Sequence, residues 1–378
     1  GRIPVLRTGE FIPCAVCGRK DRGKSSVQDH ETKGEQPFQA IIARQILVQP
    51  PGQNKPTYLA PYQGRKVLVF SDSRQTAAKL APQLQNYSMQ DALRPLILSG
   101  YRKLQSYQKI RSKLSLNDIY FSTLLAMHRP NLNSVRLRPE LQNALGENFQ
   151  PACDRIAEAV RNGILDPTRE NDLYTLLLEY RAEERPPRSL LRAMLDVLVG
   201  TPYLGTEDLG LATIVEKEEN QTRIKQLVNI PGIAETDEQK IALVRLWIRN
   251  WRGNIWLNSM QGDMWNVRNG VKGKKNTVPR VINRFLGDRI ATGIFKKDWN
   301  PNLLQMFTEA LQGNVHRLKG GELSLQIGGE WGYCQSCRTT QRPFPGLNKC
   351  INTQCMRDTV IKIDPDTDEV FKARKGYY

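Results

Sequence analysis

Four cysteines toward the C-terminal end of the chain are spaced for metal chemistry. Cys334 and Cys337 are separated by two residues, twelve residues follow, and Cys350 and Cys355 are separated by four. Two thiolate hairpins this close in sequence can close over one ion, and four thiolates fill a tetrahedral Zn²⁺ shell with no position left open for a substrate. Such a site is structural, stabilising a segment too small to hold a core of its own. A second pair, Cys14 and Cys17, is followed by Gly18 and has knuckle spacing, but it lacks a visible partner pair. His30, separated from Cys17 by twelve residues, offers one further ligand and leaves that shell incomplete. Only Cys153 of the seven cysteines stands alone, as a packed small apolar side chain would. The pairing of the other six suits metal binding in a reducing cytoplasm better than disulfides.

The elements that must position Cys334 to Cys355 are short strands and turns. From 319 onward the texture is Gly-rich, and Leu323 to Ile327 alternates as a half-buried strand does. Pro343, Pro345 and Gly346 turn the linking loop back. Val360–Ile363 and Glu369–Lys372 flank an Asp-rich turn, which predicts a hairpin. Asp364, Asp366 and Asp368 imitate the opening of a calcium loop, but Glu369 stands where glycine is needed and Lys375 where glutamate is needed, so a solvated turn is the better reading. Upstream the pattern is mostly helical. A helix is expected over 36–49, ended by Pro50-Pro51-Gly52, and another is expected to be capped by Asp154 with Ile156, Ala157, Val160 and Ile164 on its apolar face. Leu190 to Leu198 form a third, closed by Gly200. Thr236-Asp-Glu-Gln is a capping box opening a helix whose stripe is Ile241, Val244, Trp247, Ile248 and Trp251, a stripe that reads as core. Leu303, Leu304, Phe307 and Leu311 predict one more helix, ended by Gly313.

Basic residues offer a second kind of chemistry. Between Arg268 and Lys297 the cations are Arg268, Lys272, Lys274, Lys275, Arg280, Arg284, Arg289, Lys296 and Lys297, against one acid, Asp288. At this density they would neutralise backbone phosphates, and the interleaved Trp265, Phe285, Phe295 and Trp299 would stack on single-stranded bases. Asn269 to Lys275 reads as a flexible basic loop. The competing reading is a solvated face with its aromatics in the core. A second cluster, Arg102, Lys103, Lys109, Arg111 and Lys113 with Tyr101 and Tyr107, has the helical spacing of a plain solvated face.

A strand, a polar turn and a helix start follow one another from Gly64 to Ala81. Val67 to Phe70 is a short apolar run, as in a strand buried on both sides of a parallel sheet. Asp72 with Gln75 has capping-box spacing, and Ala77, Leu80, Ala81 and Leu84 fall on one helical face. The loop between would display Ser71, Asp72, Ser73 and Arg74 where ligands sit in such units. The segment "KVLVFSDSRQTAAKLA" (66–81) resembles motif IV at the opening of the second RecA-like lobe of superfamily 2 helicases. Its Phe-Ser-Asp-Ser-Arg-Gln form is similar to the large bacterial DEAD/DEAH-type helicases of phage defence, of the DISARM and Druantia kind. "TKGEQPFQAIIARQILVQPP" (32–51) resembles the segment joining that family's zinc element to the lobe, and "FKARKGYY" (371–378) the approach to the rest of it.

The resemblance implies a central fragment of such a helicase. Residues 1–35 would be a partial zinc ribbon whose first half lies upstream, 36–100 the start of the second RecA-like lobe, 101–318 a mainly helical insertion, and 319–378 a zinc ribbon and hairpin leading back to the lobe. The fold class expected is therefore an α/β start, a mainly α-helical insertion and a small β zinc ribbon. Ser71 to Arg74 would face the nucleic acid or the lobe interface. DNA with single-stranded character, the remaining helicase segments and other defence-system subunits are the implied partners.

Absences bound the enzymatic reading. Nucleotide hydrolysis needs a Gly-rich loop ending in Gly-Lys-Ser/Thr and an acidic pair for Mg²⁺. Neither occurs, and Gly270 to Lys275 lacks the spacing and the hydroxyl. ATP and Mg²⁺ are thus expected only in the parent protein, whose arginine motif would lie beyond Tyr378. His30, His128 and His316 sit in no nucleophile or metal constellation, and no catalytic residue is assigned. The 378 residues carry a formal net charge of +17, a footprint expected of a nucleic-acid binder that ribosomal partners or mere solubility would also explain, and no apolar run approaches the roughly 20 residues of a membrane span. Two readings stand: part of an ATP-dependent DNA helicase or translocase, or a non-catalytic zinc-containing nucleic-acid-binding or scaffold protein.

Overall fold

The computed structural model describes residues 93–128, 149–183, 186, 188–199, 205–251, 255–257, 274–275, 278–311 and 315–368. All lie in one of the chain's two compact units, Asn86–Tyr378. The motif-IV-like segment, the helix expected over 36–49, the first cysteine pair and the return strand 369–372 fall outside the described residues.

The unit opens with helical residues 93–105 (α1), α2 (Gln108–Lys113) and α3 (Ile119–Met127). Gly100 lets α1 meet α3 backbone to backbone: a Cβ there would lie 1.7 Å from the Ser122 carbonyl oxygen. Between α2 and α3 the buried Asp118 accepts from Ser115 N–H at 2.7 Å and from the Arg181 guanidinium at 2.7 and 2.8 Å, so the turn is tied to a later helix by a two-pronged ion pair.

Next come α4 (Phe149–Arg161), α5 (Glu170–Glu183), which carries Arg181, and α6 (Arg188–Val199). The helix expected to start at Asp154 begins five residues earlier. Pro151 explains this, since in a first turn its missing N–H costs no hydrogen bond, and Asp154 becomes an interior residue. Cys153 is buried in the core as expected, and burial pushes its thiol up to about 12.

The stretch expected to be mainly helical also supplies strands. β1 (Ala212–Glu216) is buried along its whole length and pairs antiparallel with β6 (Leu323–Ile327), from Ala212 opposite Ile327 to Glu216 opposite Leu323. After α7 (Gln221–Lys225) comes α8 (Asp237–Trp251), opened by the expected capping box: Gln239 N–H donates to Thr236 Oγ1 at 3.3 Å, and Thr236 N–H donates to Gln239 Oε1 at 3.2 Å. Trp247 and Trp251 are fully buried with ring centroids 5.2 Å apart, so the tryptophan stripe is core.

A second sheet is centred on β5 (Val315–Lys319). β4 (Thr308–Leu311) takes one edge, while β2 (Ile255–Trp256, parallel) and β3 (Lys274–Lys275, antiparallel) share the other. α9 (Arg280–Leu286), α10 (Arg289–Ile294), a π-helical turn Phe295–Trp299 and α11 (Asn300–Phe307) lead into it. The helix expected to reach Leu311 stops at Phe307. Thr308 Oγ1 folds back onto the Leu304 carbonyl at 2.6 Å, and Thr308 to Leu311 join the ladder of β5 instead.

One hydrophobic core runs from Leu93 through these helices and β1, β2, β5 and β6 to Phe344. The cysteine-bearing segment has its own sheet, β7 (Trp331–Cys334) flanked by β8 (Thr340–Gln341) and β9 (Val360–Ile363), but the buried cluster there comprises only Cys334, Cys350 and Val360. Two of those three are candidate ligands. Among the described residues no helix is long and apolar enough to cross a membrane.

Candidate metal centre

The four expected cysteines converge. Their sulfurs all lie within 4.8 Å of one another, with Cys334 and Cys355 at 3.7 Å and Cys337 and Cys350 at 3.5 Å. A disulfide would need about 2.05 Å. A tetrahedron of thiolates around an ion at about 2.3 Å has edges near 3.75 Å, so these sulfurs can hold one metal ion.

Two matching turns deliver them. Cys334 ends β7, the chain turns through Cys337, and Arg338 closes the turn in the left-handed region at φ 60°, its N–H donating to the Cys334 carbonyl at 2.8 Å. On the opposite side Met356 follows Cys355 at φ 48°, with its N–H on the Asn352 carbonyl at 3.0 Å. Asn352 N–H points at Cys350 Sγ from 3.4 Å. Thr339 Oγ1 and Thr359 Oγ1 lie 3.2 Å from Cys337 and Cys334 sulfurs respectively, where their hydroxyls support thiolate charge from outside the ligand shell. These threonines lack a sequence signature of their own.

The electrostatics of the cluster suit a cation. The hydrogen bond from Cys350 draws Cys337 down to about 4, while that same bond and burial push Cys350 up; burial also pushes Cys355 up. The cluster thus keeps a proton on Cys350 and charge on Cys337, and only a bound cation lets all four sulfurs be thiolates together.

The centre is fastened to the helical body. Arg284 donates to the Thr353 carbonyl and Lys349 Nζ to the Phe285 carbonyl at 2.7 Å, while within the segment Gln341 Nε2 donates to the Lys349 carbonyl at 3.0 Å. Phe285 and Phe344 rings meet at 4.9 Å.

The expected nucleic-acid residues are less gathered. Ser71, Asp72, Ser73, Arg74, Arg268, Lys272, Cys14, Cys17 and His30 lie outside the described residues. Lys274 and Lys275 form β3, so the last two residues of the expected flexible loop are a strand paired with His316 and Val315. Arg280, Arg284, Arg289, Lys296 and Lys297 are exposed. Phe285, Phe295 and Trp299, expected to stack on bases, are fully buried, and Trp299 Nε1 donates to the Val228 carbonyl at 2.9 Å. Their apolar area belongs to the core, so among the described residues these cations have no stacking platform beside them; Trp265 lies outside the described residues. In the second cluster Tyr101 and Tyr107 are buried, Arg111 and Lys113 pair with Glu218 and Glu219, and Lys109 donates to Asn171: a solvated face. His316 is spent on Thr308 at 2.9 Å. Asp366 N–H on Asp364 Oδ1 at 3.0 Å makes the acidic turn an ordinary one.

With this geometry in place, the comparison with known proteins is decisive on one point. The chain is similar to Druantia protein DruE. The match, to the protein of Escherichia coli (strain UMEA 4076-1), is 36% identical over 385 residues and covers 97% of this chain but 20% of DruE. The chain therefore spans about a fifth of the length of DruE. No family model matches the chain, and no solved structure does.

Proposed function

We propose that this chain serves phage defence as part of an ATP-dependent superfamily 2 DNA helicase or translocase, contributing a zinc-stabilised, DNA-contacting body and not the nucleotide hydrolysis site. The observation that carries the reading is the 36% identity to Druantia protein DruE across 97% of the chain. The motif-IV-like segment 66–81 and the net charge of +17 support it. Zn²⁺ is the ion that best suits four thiolates in a tetrahedron, and it would act as a structural clamp. The partners in this reading are DNA, the rest of the motor and other subunits of a Druantia-like system in the cytoplasm.

The DNA contact runs through charge. Arg280, Arg289, Lys296 and Lys297 are exposed, and with the neighbouring aromatics in the core they meet backbone phosphates rather than bases. The test is direct: the 378-residue chain is expected to bind DNA without hydrolysing ATP. DNA-stimulated ATP turnover would contradict the assignment of hydrolysis to other segments. In the full-length protein, replacing these four cations together by Ala is expected to abolish protection of cells from phage; unimpaired protection would remove the face from the mechanism.

A further inference from the structure

A cleft of about 260 Å³ lies between α8 and the segment leading to the metal centre. One wall is Ile241, Ala242 and Leu246 of α8, and the other is Phe344, Pro345 and Ile351. Three arginines also line it, Arg245, Arg249 and Arg342.

Two of them are neutralised within the fold. Arg249 pairs with Glu207 at 2.9 Å, and Arg245 grips both oxygens of the buried Glu216 at 2.7 and 2.9 Å. Arg342 is held differently. Nη1 donates to the Glu330 carbonyl at 2.9 Å, Nη2 to the Gln326 carbonyl at 3.1 Å, and the guanidinium lies 3.8 Å over the Trp331 ring. Nε is shielded from water and bonds to nothing, so three of the five N–H bonds lack a partner within the fold, and the carboxylate that acts on this guanidinium, Glu207, also lines the cleft and is already paired with Arg249. Gly329, at φ +83°, makes room for this group: a Cβ there would sit 3.2 Å from Nη1.

Arg245 Nη1 reaches the same Gln326, at 3.3 Å from its Oε1. Two guanidiniums therefore converge on one neutral residue, and this end of the cleft holds the three guanidiniums of Arg245, Arg249 and Arg342 against the carboxylates of Glu207 and Glu216. Burial, opposed by Glu207 and aided by the Arg245 charge, draws Arg342 down to about 10, which leaves it cationic at neutral pH. At the other end of the cleft stands Glu238, about 10 Å along α8 from Arg245 at 1.5 Å per residue. An anion is repelled there and attracted to the Arg342 end.

We propose that this cleft binds a phosphate ester carrying a flat apolar group, the phosphate between Arg342 and Arg245 and the flat group between Ala242 and Phe344. A guanidinium with free N–H bonds beside a second one is suited to bidentate phosphate recognition. A free nucleotide and one unit of a nucleic-acid strand both supply this chemistry. The second source rests on the nucleic-acid reading above, and the first does not.

The test is calorimetric titration of the full chain with thymidine monophosphate, with thymidine and with an oligothymidylate, repeated on Arg342→Gln and Ala242→Trp. Thymidine monophosphate is expected to bind, with thymidine weaker by about tenfold or more, and each variant is expected to weaken the monophosphate by about tenfold or more. Competition between oligothymidylate and the monophosphate assigns the strand as source; monophosphate binding without competition assigns the free nucleotide. Absence of monophosphate binding, or unchanged affinity in Arg342→Gln, overturns the proposal. If the oligothymidylate binds wild type and Arg342→Gln alike while the monophosphate binds neither, the cleft is refuted and the DNA-contacting reading survives.

Discussion

Cys337 and Cys350 sit close enough to share a proton, and that sharing would make any metal held by the cluster sensitive to pH. Metal binding must displace the protons that burial and hydrogen bonding keep on Cys350 and Cys355, so protons compete with the ion and affinity falls as pH falls. Metal analysis of the chain is expected to return about one Zn²⁺, lost progressively on acidification as protons return to the thiolates. Cys350→Ser is expected to remove the ion and lower the melting temperature; full metal content in that variant would contradict the four-sulfur shell. A second residue-scale outcome concerns Asp118, whose side chain is fully buried and whose charge is met by Arg181. Arg181→Met leaves that carboxylate without its cation and is expected to cost about 3–5 kcal/mol in urea unfolding. A loss below about 1 kcal/mol would mean that water or another donor takes over.

At the scale of elements, packing decides where propensity leaves a choice. Gly100→Ala drives a Cβ into the Ser122 carbonyl oxygen and is expected to cost about 2 kcal/mol or more, read as a lower denaturation midpoint; an unchanged midpoint would mean that α1 and α3 can slide apart. The capping box at Thr236, the acidic turn at Asp364 and the cysteine turns were legible because each is fixed by local chemistry that sequence spacing records, whereas the strand Leu323–Ile327 was placed correctly although its first three residues are all buried and do not alternate as expected. β1 was not legible. Its five residues are all buried, so they lack the alternation that marks a half-exposed strand, and their partner β6 lies over a hundred residues away. The helix end at Phe307 was misplaced for a related reason: Leu311 continues the helical stripe, and only pairing with β5 recruits it into a strand. The stacking role expected of Phe285, Phe295 and Trp299 failed because interleaving in sequence does not say which way a side chain points.

Among the described residues, a continuous apolar core carries a small appendage whose own buried cluster is Cys334, Cys350 and Val360, and Arg284 and Lys349 tie that appendage to the helix that displays Arg280. The similarity to Druantia protein DruE, of which the chain spans about a fifth, supports the proposal that this unit is a phosphate-contacting part of a larger protein. Fluorescence anisotropy of labelled DNA against the 378-residue chain over a series of salt concentrations tests this most directly. The logarithm of the binding constant is expected to fall linearly with the logarithm of salt, equally for different base compositions, and replacing Arg280, Arg289, Lys296 and Lys297 together by Ala is expected to reduce the slope. No binding at low salt, or a slope untouched by the four replacements, would contradict it.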